Sequence, residues 1–175
     1  NRSQFTPVHH YPTVDLIKKP IFNAYHLLGK LGAQRVIPQI DGDTKTFGVL
    51  PTFETNRKVA LMIWNFDDNQ ETRLYRKVYL KLDNLPLPPG RVKLLEYRID
   101  STHSNAYAAW ERRGNPSPPD REDIREIRKH ENLKLMQAPT ELTIEESSID
   151  LEVTLPMHCI VLLILQRREK LPEPK

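Results

Sequence analysis

The sequence IDLEVTLPMHCIVLLIL, residues 149–165, decides the fold class of this chain. In residues 149–155, apolar side chains alternate with acidic residues or threonine. A period of two residues is typical of a strand that has one face in the core and the other in solvent. Residues 160–165 are apolar without interruption, which is typical of a central strand that is buried on both faces. The two segments together predict a mainly β protein.

Further strands are predicted upstream, and residues rich in Asp, Asn, Gly and Pro separate them. These turn residues lie at 41–43, 67–69 and 86–90. Many short strands at such spacing predict an antiparallel β-sandwich. The other predicted strands are residues 35–40, 46–55, 58–66, 73–82, 91–99 and 141–145.

Two helices are predicted beside the strands. The first covers residues 19–31, where Pro20 suits a first helical turn and Gly32 suits a left-handed cap at the end. Its apolar side chains recur every three or four residues and predict one buried face. The second helix begins after Asp120, a capping residue, and places Asp123 in its first turn. Its side chains expected to face the protein body are Ile124, Ile127 and Leu133.

The composition narrows the classes of function. Twenty-six basic residues are interleaved with 23 acidic ones, for a formal charge of +3. A nucleic-acid surface would instead concentrate one sign of charge, so no nucleic-acid partner is expected. No apolar run reaches the ~18 residues of a membrane-spanning helix, so no membrane partner is expected. The single cysteine, Cys159, forms no internal disulfide and is expected to be a buried thiol.

The stretch YRIDSTHSNAYAAW, residues 97–110, resembles the signature near the C-terminus of glycoside hydrolase family 39. That family contains β-xylosidases and α-L-iduronidases. Residues 17–32 are similar to the family's last barrel helix, with its Lys-Lys-Pro and Asn-Ala start. Residues 114–119 and 155–158 follow in the order of the family's later segments.

The resemblance implies retaining hydrolysis of a glycosidic bond by two glutamates on a (β/α)₈ barrel. Such a barrel needs about 250 residues, so it does not fit in a chain of 175. Residues 1–32 would be the last strand, loop and helix of the barrel. Residues 33–166 would be an accessory β-sandwich, and residues 167–175 a linker or tail. The expected partners are the catalytic barrel of the parent chain and, through it, a carbohydrate.

No catalytic residue is predicted within this chain. Hydrolysis needs two carboxyl groups about 5–9.5 Å apart, one of them kept protonated by its surroundings. The acidic residues here lie in turns or mixed-charge segments, such as Asp67-Asp68 and Glu145-Glu146. No Cys-x-x-Cys or His-Glu-x-x-His pattern is present, so neither a metal site nor a cofactor is expected.

Two loops are candidates for the edge of a substrate cleft. Aromatic and amide groups suit sugars, because flat rings meet sugar C–H groups while amides bond hydroxyls. In the alternative, the same side chains fasten the predicted loop 100–119 to the sheet. The candidates are His9, His10, Tyr11, His103, Asn105, Tyr107 and Trp110. Asn1 begins an Asn-Arg-Ser sequon and is a candidate for glycosylation.

The parent is expected to resemble a β-xylosidase, which would be cytoplasmic or periplasmic. An α-L-iduronidase-like parent, secreted or lysosomal, is the alternative, because residues 110–114 are also similar to iduronidases. A third possibility is an independent carbohydrate-binding module. It would expose aromatic side chains aligned on one sheet face, whereas Trp64 is expected in the core because its strand is apolar.

Overall fold

A computed structural model describes residues 16–167 of the chain. Residues 1–15 of the predicted barrel remnant and residues 168–175 of the predicted tail lie outside this range. The elements are α1 (Pro20–Leu28), β1 (Gln34–Arg35), β2 (Phe47–Glu54), β3 (Lys58–Asn65), β4 (Tyr75–Leu82), β5 (Gly90–Ile99), α2 (Ala106–Arg112), α3 (Arg121–Arg128), β6 (Thr140–Ile144), β7 (Ile149–Pro156) and β8 (Cys159–Arg167).

The strands form two antiparallel sheets. The larger sheet has the order β1-β2-β3-β8-β5-β6, and the smaller pairs β4 with β7. Side chains from both sheets meet in one core cluster, where Ile63 and Val161 of the larger sheet join Leu155 of the smaller. The predicted mainly β, antiparallel fold with flanking helices is therefore confirmed.

Strand β8 is buried on both faces, as its uninterrupted apolar run predicts. Val161, Leu163 and Leu165 point into the core between the sheets. Leu162 and Ile164 point to the opposite face of the larger sheet and contribute to a second cluster with Leu27 of α1. Because neighbouring residues of a strand face opposite sides, an apolar layer is needed on each side of β8.

Helix α1 differs from its prediction in where it ends and in which of its faces is buried. It ends at Leu28, and the following Gly29 keeps a right-handed helical conformation. Gly32 is not a left-handed cap but a point of close contact, since a Cβ there would lie 2.4 Å from the Phe53 carbonyl oxygen. Asn23 and Leu27 form the buried face of the helix.

The structure contains a third helix, whereas the sequence predicts a loop over residues 100–119. Helix α2 occupies Ala106–Arg112 in the middle of that segment. Helix α3 begins as predicted, because Asp120 and Asp123 bond each other's backbone N–H in a reciprocal capping box. Ile127 is buried, and Ile124 packs beside it.

Two further sequence predictions are wrong. The strand predicted at 35–40 is only the two residues of β1, and Pro38 has no N–H with which to extend a ladder. Trp64, expected in the core, is 37% exposed on β3. Its indole lies across Gly48 of the paired strand β2. The sequence does not reveal the exposure of Trp64, because the other apolar side chains of β3 are buried between the sheets or under α1.

We expect Gly48→Ala to destabilise the protein by about 1–3 kcal/mol, the usual effect of overpacking. The added Cβ would lie 2.2 Å from the Trp64 ring, so the indole must move. Urea unfolding followed by tryptophan fluorescence measures the change. Gly29→Ala is the matched control, because its Cβ meets nothing nearer than 3.6 Å. Equal stability of the two variants would contradict the proposed packing.

Candidate functional site

The carboxylate of Asp100 organises the turn that follows β5. One of its oxygens accepts hydrogen bonds from the Thr102 N–H at 2.7 Å and the His103 N–H at 2.8 Å. The same oxygen lies 2.9 Å from both the Thr102 hydroxyl and His103 Nδ1. Asp100 is only 6% exposed, so these bonds replace water around the carboxylate.

This hydrogen bonding keeps Asp100 ionised. Burial by itself raises the pKa of a carboxyl group, but the bonds from Thr102 and His103 stabilise the charged form. Their combined effect outweighs burial and lowers the pKa of Asp100 below its ordinary value of 3.8. A carboxyl group with a lowered pKa is a poor proton donor near neutral pH. Asp100 is therefore suited to holding the turn and not to acid catalysis.

Asn105 connects this turn to α2. Its side-chain N–H donates to the Asp100 carbonyl at 2.9 Å, and its side-chain oxygen accepts from the Ala108 N–H at 3.0 Å. The second bond caps the start of the helix. An Asn immediately before a run of helix-forming residues is the signal in the sequence that could have revealed α2.

Ser104 and Asn23 connect the turn to α1. The buried amide of Asn23 donates to the Ser104 carbonyl at 2.7 Å and to the Glu131 carbonyl at 3.0 Å. The Ser104 hydroxyl accepts from the Lys134 N–H at 3.3 Å. We call residues Asn23, Asp100, His103, Ser104 and Asn105 the Asp100 joint, since they tie α1, β5, α2 and the segment after α3 together.

The sequence does not identify Asn23 as a member of this site. It lies among the apolar residues of α1, where a polar side chain is usually on the solvent side. In the structure it is 1% exposed. A buried amide requires partners, and the carbonyls of Ser104 and Glu131 come from segments about a hundred residues away.

Helices α2 and α3 form a small unit beside the joint. The Trp110 indole donates to the Pro116 carbonyl at 3.0 Å, and its ring packs against the cluster of Ile17, Ala106 and Ile127. Arg113 of the helix end forms an ion pair with Asp123 of α3. Trp110 therefore fastens the two helices to each other.

Tyr107 has a different environment from Trp110. It is 51% exposed, and its ring centroid lies 5.5 Å from that of Trp110. The negative charge of Glu111, one helical turn away, raises the pKa of the Tyr107 phenol. Tyr107 thus presents an un-ionised, exposed ring and hydroxyl at neutral pH.

The predicted cleft residues separate into three groups. His103 and Asn105 come together at Asp100, and Tyr107 and Trp110 lie side by side on α2. His9, His10 and Tyr11 lie outside the described residues, as does Asn1. The bonds of His103, Asn105 and Trp110 account for structural roles within the turn and helices, and contact of any of these residues with a sugar stays a prediction.

Other chemistry is sparse in residues 16–167. Asp100 is the buried carboxylate of this range, and the range has no group of three or more His, Cys, Asp or Glu placed to hold a metal ion. Burial raises the pKa of the Cys159 thiol to about 11, so it is protonated near neutral pH. The helices described are too short and too polar for any of them to span a membrane.

Comparison with known proteins identifies relatives of this chain. The sequence model of Glycosyl hydrolases family 39 matches residues 1–145. A bacterial orthologue of human α-L-iduronidase has a similar structure, with a TM-score of 0.78 and 21% identity over 98% of this chain and 32% of that one. The GH39 enzyme from Xanthomonas axonopodis pv. citri has a TM-score of 0.71 and 16% sequence identity. The match covers 87% of this chain and 31% of that one.

A monomeric β-xylosidase from Caulobacter crescentus CB15 gives a TM-score of 0.63 and 21% identity, over 86% of this chain and 31% of that one. No curated protein sequence matches the chain. At these identities the structures show a shared fold. The chain spans about a third of the length of these three proteins. The family resemblance carried by residues 97–110 is confirmed by the family match.

We expect Asp100→Asn to cost about 1–2 kcal/mol at pH 7, because the bonds to Thr102 and His103 lose their charge assistance. The lowered pKa makes this contribution complete above 3.8, the ordinary value. It is lost as pH falls below that value towards the lower folded pKa. The difference between wild type and variant should therefore shrink in acid.

Urea unfolding of both proteins between pH 7 and pH 3 measures this dependence. Asp68→Asn, in an exposed loop, is the matched control and should have the stability of wild type at every pH. A variant whose cost is the same at every pH would show that the charge of Asp100 contributes nothing.

Proposed function

The chain belongs to glycosyl hydrolase family 39, and from this premise we propose that it is the C-terminal accessory region of a retaining glycosidase. In this proposal it packs against the catalytic (β/α)₈ barrel of its parent and supports it, without being catalytic alone. Residues 1–32 are the last strand, loop and helix of that barrel, residues 33–166 the accessory sandwich, and residues 167–175 a linker or tail.

The outward face of α1 carries the proposal. Ile21, Tyr25 and Leu28, spaced as one face of a helix, are 46%, 54% and 44% exposed. On the opposite face, Asn23 and Leu27 are fully covered by the sheet and the joint. A helix that is apolar on both faces normally has partners on both sides. The outward face of α1 is thus suited to a second packing surface.

The length of the relatives indicates what that surface would be. About two-thirds of each matched structure lies beyond the region that this chain spans. The missing length is enough for a barrel of about 250 residues. Because α1 would be the last helix of that barrel, Ile21, Tyr25 and Leu28 would pack against the barrel's strands and neighbouring helices.

The Asp100 joint supports this role by holding α1 on the sandwich. The Asn23 amide bonds the turn after β5 and the segment after α3 at once. Lys18, just before the helix, donates its backbone N–H to Glu131 at 3.2 Å and its ammonium to Asn132 at 2.7 Å. Movement of α1 would break several of these bonds together. The joint therefore fixes the angle at which a barrel would meet the sandwich.

Two parent activities are candidates. A β-xylosidase-like parent is proposed first, from the form of residues 102–107. An α-L-iduronidase-like parent is the second candidate, because the matched orthologue of that enzyme aligns over 98% of the chain and residues 110–114 are similar to iduronidases. Both would use two glutamates of the barrel, one as nucleophile and one as acid/base.

The purified 175-residue chain is expected to hydrolyse neither aryl β-xylosides nor aryl α-L-iduronides. The longer parent polypeptide should hydrolyse one of the two, and which one it is decides between the candidates. Release of the aryl group, followed by absorbance, measures both. Turnover by the chain alone at the rate of the parent would overturn the accessory role.

We expect Tyr25→Lys with Leu28→Lys to leave the stability of the 175-residue chain within about 0.5 kcal/mol, since both side chains are exposed there. In the parent the same pair should lower stability by about 3–5 kcal/mol, the cost of losing two buried apolar side chains. Thermal unfolding of chain and parent measures the difference.

Tyr79→Lys is the control for this pair, since Tyr79 is also exposed but lies on β4, away from α1. Tyr79→Lys should change the stability of neither protein. If the α1 pair lowers stability equally in chain and parent, then α1 does not contact the rest of the barrel.

A further inference from the structure

A second exposed aromatic surface lies on the outer face of the two-stranded sheet. Tyr75 and Tyr79 of β4 are 77% and 71% exposed, more than any other aromatic side chain in residues 16–167. They are four residues apart in one strand, so they point to the same face. At the usual rise per residue their Cα atoms are about 13 Å apart. The distance is longer than one sugar ring.

Polar groups occupy the space between the two rings. Lys77 lies between Tyr75 and Tyr79 on the same face, and its ammonium is 5.3 Å from the Tyr79 ring centroid. The neighbouring strand β7 places Thr154 beside Lys77 and Glu152 beside Tyr79. The face therefore alternates flat rings with hydrogen-bond donors and acceptors.

Charges of both signs are interleaved on this face. Lys77 lies 2.9 Å from Glu152, Lys81 lies 3.6 Å from Asp83, and the strand register places the exposed Asp150 of β7 opposite Lys81. A surface with interleaved charges of opposite sign attracts neither polyanions nor polycations strongly. The polar groups between the rings are unfavourable for an apolar helix, which would leave them desolvated and unpaired. The expected occupant is thus an uncharged molecule that has both apolar faces and many hydroxyl groups.

We propose that the outer face of β4 and β7 binds a neutral linear oligosaccharide. Its sugar rings stack their C–H faces on Tyr75 and Tyr79, and hydroxyls between them bond Lys77, Glu152 and Thr154. The site goes beyond the docking role of α1. It shares with that role only the premise that the parent enzyme meets glycans.

Calorimetric titration of the 175-residue chain tests the site with three neutral hexasaccharides: xylohexaose, cellohexaose and mannohexaose. A chondroitin sulfate hexasaccharide serves as the charged comparison. At least one neutral ligand should bind at millimolar concentration or below, more tightly than the charged one. Tyr75→Ala and Tyr79→Ala should each weaken binding about five- to tenfold. Tyr79→Phe should retain most of the affinity, because the ring still stacks.

Tyr25→Ala, at an exposed tyrosine of α1, is the matched control and should bind like wild type. Light scattering of the chain with and without ligand shows whether copies pair through β4 instead. Absence of binding by all three neutral ligands, preference for the charged ligand, or self-association abolished by Tyr79→Ala would each overturn the proposal. The titration contains no barrel, so its outcome is independent of the docking and turnover experiments.

Discussion

The burial of β8 on both faces is the constraint on which this structure depends. A strand whose side chains are apolar in both directions needs one layer above the sheet and another below it. The two-stranded sheet of β4 and β7 covers one side, through Leu155 and its neighbours. Helix α1 covers the other side with Leu27, and the Asp100 joint keeps it there. In residues 16–167, the attachment of these two layers sets the positions of α1 and of the outer face of β4.

Much of this arrangement could be predicted from the sequence, because periodicity reports which faces are apolar. The alternation in residues 149–155 and the uninterrupted run after it located β7 and β8 correctly. Periodicity does not report long-range hydrogen bonds. It therefore missed Asn23, whose partners lie across the fold, and the fact that Ile21 and Tyr25 face outwards. It could not tell that Trp64 lies over a glycine on a neighbouring strand.

The structure of the segment with the family signature differs from the sequence prediction, and its contact with a sugar stays a prediction. The sequence predicts a loop over residues 100–119, yet an Asp-centred turn and an Asn cap lead into α2 at Ala106–Arg112. The Asn cap is visible in the sequence, whereas the bonds that Asp100 receives in the turn depend on a local geometry that composition does not report. In the structure, residues of this segment bond α1 and the segment after α3. The two exposed surfaces, α1 and the outer face of β4, are separate from it and serve different proposed contacts.

The Asp100 joint also has a consequence for the amount of folded protein in a cell. Asn23 and Ser104 join segments that are distant in sequence, and Asp100, His103 and Asn105 hold the turn between them. A defect here would lower the folded fraction, and cellular quality control removes unfolded chains continuously. A loss of one or two kcal/mol can reduce abundance several-fold. A small molecule that binds the folded state of such a variant would raise the folded fraction again.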